Sequence, residues 1–191
     1  MQFDTFEGWR ASLVLPHDFK STEDFYRAGK SSNLSNAEDK LTLIALREAA
    51  DVIITTGETA RNENYRGSKH APIAVLTRNP ETLRDLELFK SGKENFTIDC
   101  ASAQLGNCLN AKIRELGYSS PLFEGGLGTL RVLATDLETI QLVLSITGSE
   151  KPEELQPAHF VSAVLPGMPM TELISMVVGS NLVIEATLIK P

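Results

Sequence analysis

Several residue types are scarce in this sequence, and each shortage closes off a class of function. Two cysteines, Cys100 and Cys108, and three histidines, at positions 17, 70 and 159, are all the cysteine and histidine that 191 residues provide. The histidines stand singly and the cysteines lack metal-ligand spacing, so no zinc site is expected and the cysteines read as reduced thiols. Basic residues number 18 against 25 acidic ones, a net charge of −7. No concentrated basic face is visible, which disfavours a nucleic-acid partner, although one or two local donors suffice for a small phosphorylated ligand. No apolar run approaches the ~18 residues of a membrane helix. Met1 to Phe6 shows no basic stretch leading into an apolar core, so no secretory leader is expected there. These absences point to a cytoplasmic protein without a membrane partner. Internal repeats, low-complexity tracts and linkers are missing too, and residues 1–191 read as one domain.

What is present alternates between strand and helix. Arg10 to Leu15 is an apolar run closed by Pro16 and reads as a buried strand. His17 to Asn33 is polar and reads as a long loop. Ser35-Asn36-Ala37-Glu38 has the form of a capping box, and Leu41, Ile44, Ala45 and Ala49 recur behind it at helical spacing to Ala50. Asp51 to Thr55, Pro72 to Thr77, Asn95 to Asp99 and Ser120 to Phe123 read as strands. Ala111 to Leu116 reads as a helix ending at Gly117, and Leu127 to Ala134 as another. Ile140 to Thr147, Phe160 to Leu165, Ser175 to Val178 and Asn181 to Ile189 read as mostly consecutive strands, the last two joined by a turn at Gly179-Ser180-Asn181. Gly148 to Pro157 reads as a surface loop. The pattern predicts an α/β fold whose mostly parallel central sheet is flanked by helices and ends in antiparallel C-terminal strands.

Three strand ends carry residues suited to anions. Glu124-Gly125-Gly126-Leu127 lies between a strand and a helix, where glycines admit backbone amides to a ligand and the helix terminus favours negative charge. The dinucleotide fingerprint itself is absent, since Arg131 stands in place of its third glycine. Thr56-Gly57-Glu58-Thr59 forms a similar junction. Thr77-Arg78 follows a third strand, and an arginine there suits a 2′-phosphate. Ligands of open α/β sheets sit beyond the carboxyl ends of strands, so the three together suggest a dinucleotide site. The simpler readings are a helix cap for Glu124, a solvated loop for Arg78, capping for Ser35, an exposed helix surface for Arg47 and Glu48, and a core or interface aromatic for Trp9.

Trp9-Arg10-Ala11-Ser12-Leu13-Val14 leading to Asp18, Gly29-Lys30-Ser31 with Leu34-Ser35, and Leu46 to Ile53 form an ordered series. Thr59-Ala60-Arg61-Asn62-Glu63-Asn64-Tyr65, Pro72 to Arg78 and Glu124-Gly125-Gly126 continue it. In that order they resemble the pyrimidine reductases of riboflavin biosynthesis, over about two thirds of the chain. The resemblance implies a dihydrofolate-reductase-like fold. It also implies NADPH-dependent reduction of the ribosyl group of a phosphorylated aminopyrimidine, commonly by a homodimer. The zinc deaminase elements that many such proteins carry are absent. Position by position, it assigns the cofactor to Thr56, Gly57, Glu58, Thr59, Thr77, Arg78, Glu124, Gly125, Gly126 and Leu127. It assigns substrate contacts to Ser12, Ser35 and Arg61, and to Asp18 the orienting of the sugar or relay of a proton.

The sequence departs from that pattern at four places. Pro16 replaces a serine, Phe19 a glycine beside the ligand path, and Leu127 a proline. Thr56 and Glu58 replace both glycines of a Gly-x-Gly-Thr turn, bringing a carboxylate near a pyrophosphate. Two further expectations therefore stand beside the reductase: a diverged homologue that binds a nucleotide or metabolite without catalysis, and a structural dimeric scaffold.

Overall fold

The apolar run that begins at Trp9 lies inside an eight-stranded sheet in the computed structural model, which describes residues 3–21, 23, 31–90, 94–100 and 104–191. Strand β1 (Trp9–Pro16) pairs in parallel with β5 (Pro121–Phe123) on one side and β6 (Thr139–Thr147) on the other. Outward from β5 follow β2 (Val52–Thr56), β3 (Ile73–Leu76) and β4 (Phe96–Ile98), all parallel. Outward from β6 the direction reverses through β8 (Asn181–Ile189) and the edge strand β7 (Met170–Val178). The sheet order is thus β4-β3-β2-β5-β1-β6-β8-β7, mostly parallel with antiparallel C-terminal strands, as the sequence predicts.

Parallel strands covered on both faces need apolar side chains on both, and β2 and β6 meet that need with nearly unbroken burial. One face of β1 (Trp9, Ala11, Leu13 and Leu15) packs with α5 (Leu105–Glu115), α6 (Leu127–Asp136) and α7 (Pro157–Val164). On the opposite face Leu46, from α2 (Ala37–Glu48), joins Ile53, Ile73, Leu122, Val143 and Val183. Three shorter helices, α1 (Ser31–Leu34), α3 (Gly57–Asn62) and α4 (Glu87–Lys90), and two 3-10 turns lie in the remaining connections. Trp9 is a core residue, 4% exposed, and its indole Nε1 donates to Asn110 Oδ1 at 3.0 Å.

Several local expectations are corrected. Phe160 to Leu165 is not a strand: Pro157 at the first turn starts α7, and a short apolar run suits a buried helix as well as a strand. The helix before Gly117 begins six residues earlier than expected, at Leu105. The cap of α2 is Asn36, whose Oδ1 accepts from Asp39 N at 3.0 Å, so Ser35 does not cap it. Its inward face is Asp39, Thr42, Ala45 and Leu46, while Leu41 and Ile44 face solvent. The polar segment after Pro16 is not wholly loop, because residues 31–34 form a helical turn. The Gly29-Lys30 part of its motif lies outside the described residues, as do residues 22 and 24–28. Gly148 to Pro157 includes a 3-10 turn at Pro152–Glu154.

The cysteines are not free thiols. Cys100, just beyond β4, and Cys108, in α5, form a disulfide with their Cα atoms 6.0 Å apart, within the range a disulfide spans. The fold brings together two residues whose spacing alone carried no such signal. Alkylation of the unfolded protein without reductant should label neither cysteine, and reduction should expose both. Cys108→Ser should lower stability by about 2–3 kcal/mol in urea unfolding, as expected for a short closed loop.

Candidate functional site

Because β1, β2, β3 and β5 are parallel, their carboxyl ends open on one edge of the sheet. In sheet order this edge carries Thr77 and Arg78 after β3, Thr56–Thr59 after β2, Glu124–Gly126 after β5 and Asp18 after β1. At the usual spacing of ~4.8 Å between strands, that line spans roughly 14 Å. Nine of the ten residues assigned to a cofactor fall on it; the tenth, Leu127, is buried in the core.

At β2, Thr56 caps α3: its Oγ1 accepts from Thr59 N at 3.1 Å and also meets Thr59 Oγ1 at 2.9 Å. A Cβ on Gly57 would lie 3.3 Å from Thr77 Oγ1 and 3.5 Å from an Arg61 nitrogen, so the β2 and β3 turns touch here. Arg61 itself donates to Thr82 Oγ1 at 3.2 Å, which sets its guanidinium beside Gly57 and Thr77. Glu58 is exposed in the first turn of α3. Arg78 is exposed and has no hydrogen-bond or ion-pair partner among the described residues.

At β5, the two glycines differ in cause. A Cβ on Gly125 would come within 2.3 Å of the Phe123 ring, so the residue must be small for packing alone. Gly126 is the cap residue of α6 and has open space in front of it, which leaves the helix N-terminus accessible. Leu127, by contrast, is fully buried in the core.

Glu124 does not cap the helix. Its side chain is 4% exposed and accepts from Arg47 Nε at 2.7 Å and Nη2 at 2.6 Å, while Tyr65 Oη donates to the same carboxylate at 2.6 Å. The Arg47 guanidinium also lies over the Tyr65 ring, 5.7 Å from its centroid. Arg47 is therefore drawn inward and not part of an exposed surface. Tyr65 reaches the cluster because Asn64, at φ 49°, reverses the chain after α3, and Tyr65 N then donates to Ala60 O at 3.0 Å. Burial alone would lower the Arg47 guanidinium, but the hydrogen bonds and charge of Glu124 outweigh it and hold it above its ordinary value. Burial and the Glu124 charge push the Tyr65 hydroxyl well above its ordinary 10.0. This cluster was missed in the sequence, where each residue stood in a different motif. A carboxylate that directly follows a buried strand is the signal that asks for such partners.

The remaining site residues are less gathered. Asp18 is exposed in the turn beyond β1, whereas Phe19 next to it is 1% exposed and sits in the core, with its ring packed inward. Ser12 is half-buried in mid-strand, four residues before the end of β1. Ser35 lies between α1 and α2, near the β7–β8 turn, because the adjacent Asn36 pairs with Asn181 at 2.7 and 2.8 Å.

A cleft of about 320 Å³ lies elsewhere, lined by Phe3, Phe6, Arg10, Ile174, Met176 and Glu185 among others, and includes none of the site residues. Arg10 is buried there against both phenylalanine rings and joined to Glu185 through Gln141. No group of side chains suited to a metal, and no helix long and apolar enough to cross a membrane, occurs among the described residues.

No family model matches the chain, and no curated protein sequence matches it. Solved structures share its fold. A pyrimidine reductase-like protein from Corynebacterium diphtheriae is 15% identical with a TM-score of 0.61, over 98% of this chain and 94% of that one. RibD from Acinetobacter baumannii is 8% identical with a TM-score of 0.67; the match covers 97% of this chain but only 59% of that one. Dihydrofolate reductase from Enterococcus faecalis, complexed with NADP(H), is 12% identical with a TM-score of 0.54, over 96% of this chain and 97% of that one. The resemblance read in the sequence is borne out as a likeness of fold to riboflavin-pathway and dihydrofolate reductases.

The buried cluster should dominate mutational stability. Glu124→Ala leaves a buried guanidinium unpaired and should cost about 3–5 kcal/mol in urea unfolding. Tyr65 adds a pH dependence. The folded protein keeps its phenolic proton where the unfolded chain has lost it, so this contribution is complete below about pH 10 and fades as pH rises further. Tyr65→Phe should flatten the alkaline decline in stability measured between about pH 9 and about pH 11.

Proposed function

We propose that this protein is an NADPH-dependent reductase resembling 5-amino-6-(5-phosphoribosylamino)uracil reductase, acting on a phosphorylated ribosylaminopyrimidine. The observation that carries this reading is the alignment of three anion-suited turns along one edge of the sheet, ending at the exposed Arg78. The residues fit a dinucleotide phosphate. The open N-terminus of α6 at Gly126 offers amides to the pyrophosphate, together with the Thr56–Thr59 turn. Thr77 and Arg78, with Arg61 nearby, offer hydroxyl and guanidinium donors to a 2′-phosphate. When bound, the reduced nicotinamide supplies a hydride to the first carbon of the sugar. Asp18, exposed beyond β1 on the same edge, orients the sugar or relays the accompanying proton. Ser12 and Ser35 belong to the substrate in this reading, and Arg61 moves to the cofactor.

A non-catalytic ligand-binding protein is the second reading, favoured by the exposed Glu58 in the first turn of α3 and by Pro16 in place of a hydroxyl. We further propose a homodimer formed through β7. This edge strand is exposed on both faces and carries Leu173, Ile174, Met176 and Val177 into solvent, a pattern that isolated edges avoid. The protein works in the cytoplasm under this reading, although the Cys100–Cys108 disulfide is the kind of bond that oxidising compartments preserve.

Thermal unfolding with NADPH, and with NADH as control, tests the reductase. A ligand at a hundred times its Kd adds ~2.7 kcal/mol, which raises Tm by about 5–10 °C in a chain of this size. Arg78→Gln should lose about tenfold or more of the preference for NADPH over NADH. Binding without oxidation of NADPH by any ribosylaminopyrimidine phosphate would favour the second reading, and no binding would remove the first. Light scattering should give twice the chain mass for the wild type and a single chain for Ile174→Lys.

A further inference from the structure

Glu124 is tied to both turns of the proposed cofactor site, by its backbone to one and by its carboxylate to the other. On one side its own backbone leads directly into Gly125-Gly126 and the start of α6, and Glu124 N donates to Ile54 O at 2.8 Å. On the other, Tyr65 Oη bonds the carboxylate while Tyr65 N closes the end of α3, the helix that begins at the Thr56–Thr59 turn. Arg47, from the last turn of α2, holds both carboxylate oxygens.

We propose that Glu124 is a positioning residue that locks the Thr56–Thr59 and Gly125–Gly126 turns at one spacing and so sets the affinity of the cleft for a dinucleotide phosphate. This rests on the dinucleotide reading of the cleft. Gly126 has no side chain to brace it and no neighbour within 4 Å of its Cβ position, so its amide direction depends on the residues before it. The six-residue α3 has little internal cooperativity of its own and gains its bracing from Tyr65. Apolar side chains could fill the same space, but they impose no direction. Three short hydrogen bonds from two different elements to one carboxylate do.

Amide hydrogen exchange of the ligand-free protein and NADPH titration test the role in separate measurements, on Tyr65→Phe and Glu124→Gln. Tyr65→Phe keeps the ion pair and carries the test if Glu124→Gln fails to fold. Exchange at residues 56–59 and 125–128 should rise at least tenfold while β1 and β6 stay protected, and Kd for NADPH should weaken by tenfold or more. Unchanged exchange at the two turns, or a rise spread evenly over the sheet, overturns the positioning role. Wild-type protein that binds no NADPH overturns the dinucleotide reading instead, and the exchange arm shows independently whether the turns are locked.

Discussion

Parallel pairing on both sides of β1 is the constraint from which the rest follows. Eight residues of β1 register with eight of β6, and β5 pairs along the other side. A strand so paired has no free edge, and six of its eight residues are buried. Helices must then return the chain to the starting edge after each strand, so every carboxyl end opens on the same side. The turns with Thr56, Thr77 and Gly126 become neighbours for that reason, not through any contact legible in one motif. The reversal at β8 ends this logic. Beyond it the sheet needs no crossover helix between β7 and β8, and a two-residue turn suffices.

The legible part of the structure was the part governed by strand burial. Val52 to Thr56, Ile73 to Leu76 and Thr139 to Thr147 announce themselves because a strand covered on both faces admits few polar residues. The strand ends that carry the candidate ligand residues were legible too, but the sheet order that sets them side by side was not. Long-range polar chemistry was not. Arg47 looks like surface in a helix that also exposes Leu41 and Ile44, and only the folded chain supplies Glu124 from 77 residues away. Cys100 and Cys108 likewise meet only in the folded chain, one just beyond β4 and the other in α5. The Phe160 run was misread because a short buried apolar stretch carries no period that separates helix from strand.

Phe19 shows how a departure from a pattern acquires meaning from packing. Its ring occupies the core and its amide donates to Pro16 O, so the bulk that replaces a glycine is directed inward and not into solvent. The neighbouring Asp18 is then left pointing to solvent at the edge where the other candidates gather. Glu58 remains the electrostatic cost of the site, exposed at a helix start where an anion would otherwise meet only donors. Arg61, in the same helix, and the exposed Arg78, on the adjoining turn, offer the opposing charge.

Helix α2 ties these two regions together, and it does so with polar contacts in place of a broad apolar stripe. Its inward residues include Asp39 and Thr42, so hydrophobic burial anchors it only at Ala45 and Leu46. The N-terminal end is held by the reciprocal amide pair of Asn36 and Asn181, at the start of β8, where Asn181 is fully buried. The C-terminal end is held by Arg47 on Glu124. A helix held in this way has a fixed position but a weak apolar hold, so its orientation depends on hydrogen bonds whose removal leaves buried groups unsatisfied. The antiparallel hairpin and the glycine turn at β5 are thus braced by opposite ends of one element, through Asn36 at one end and Arg47 at the other.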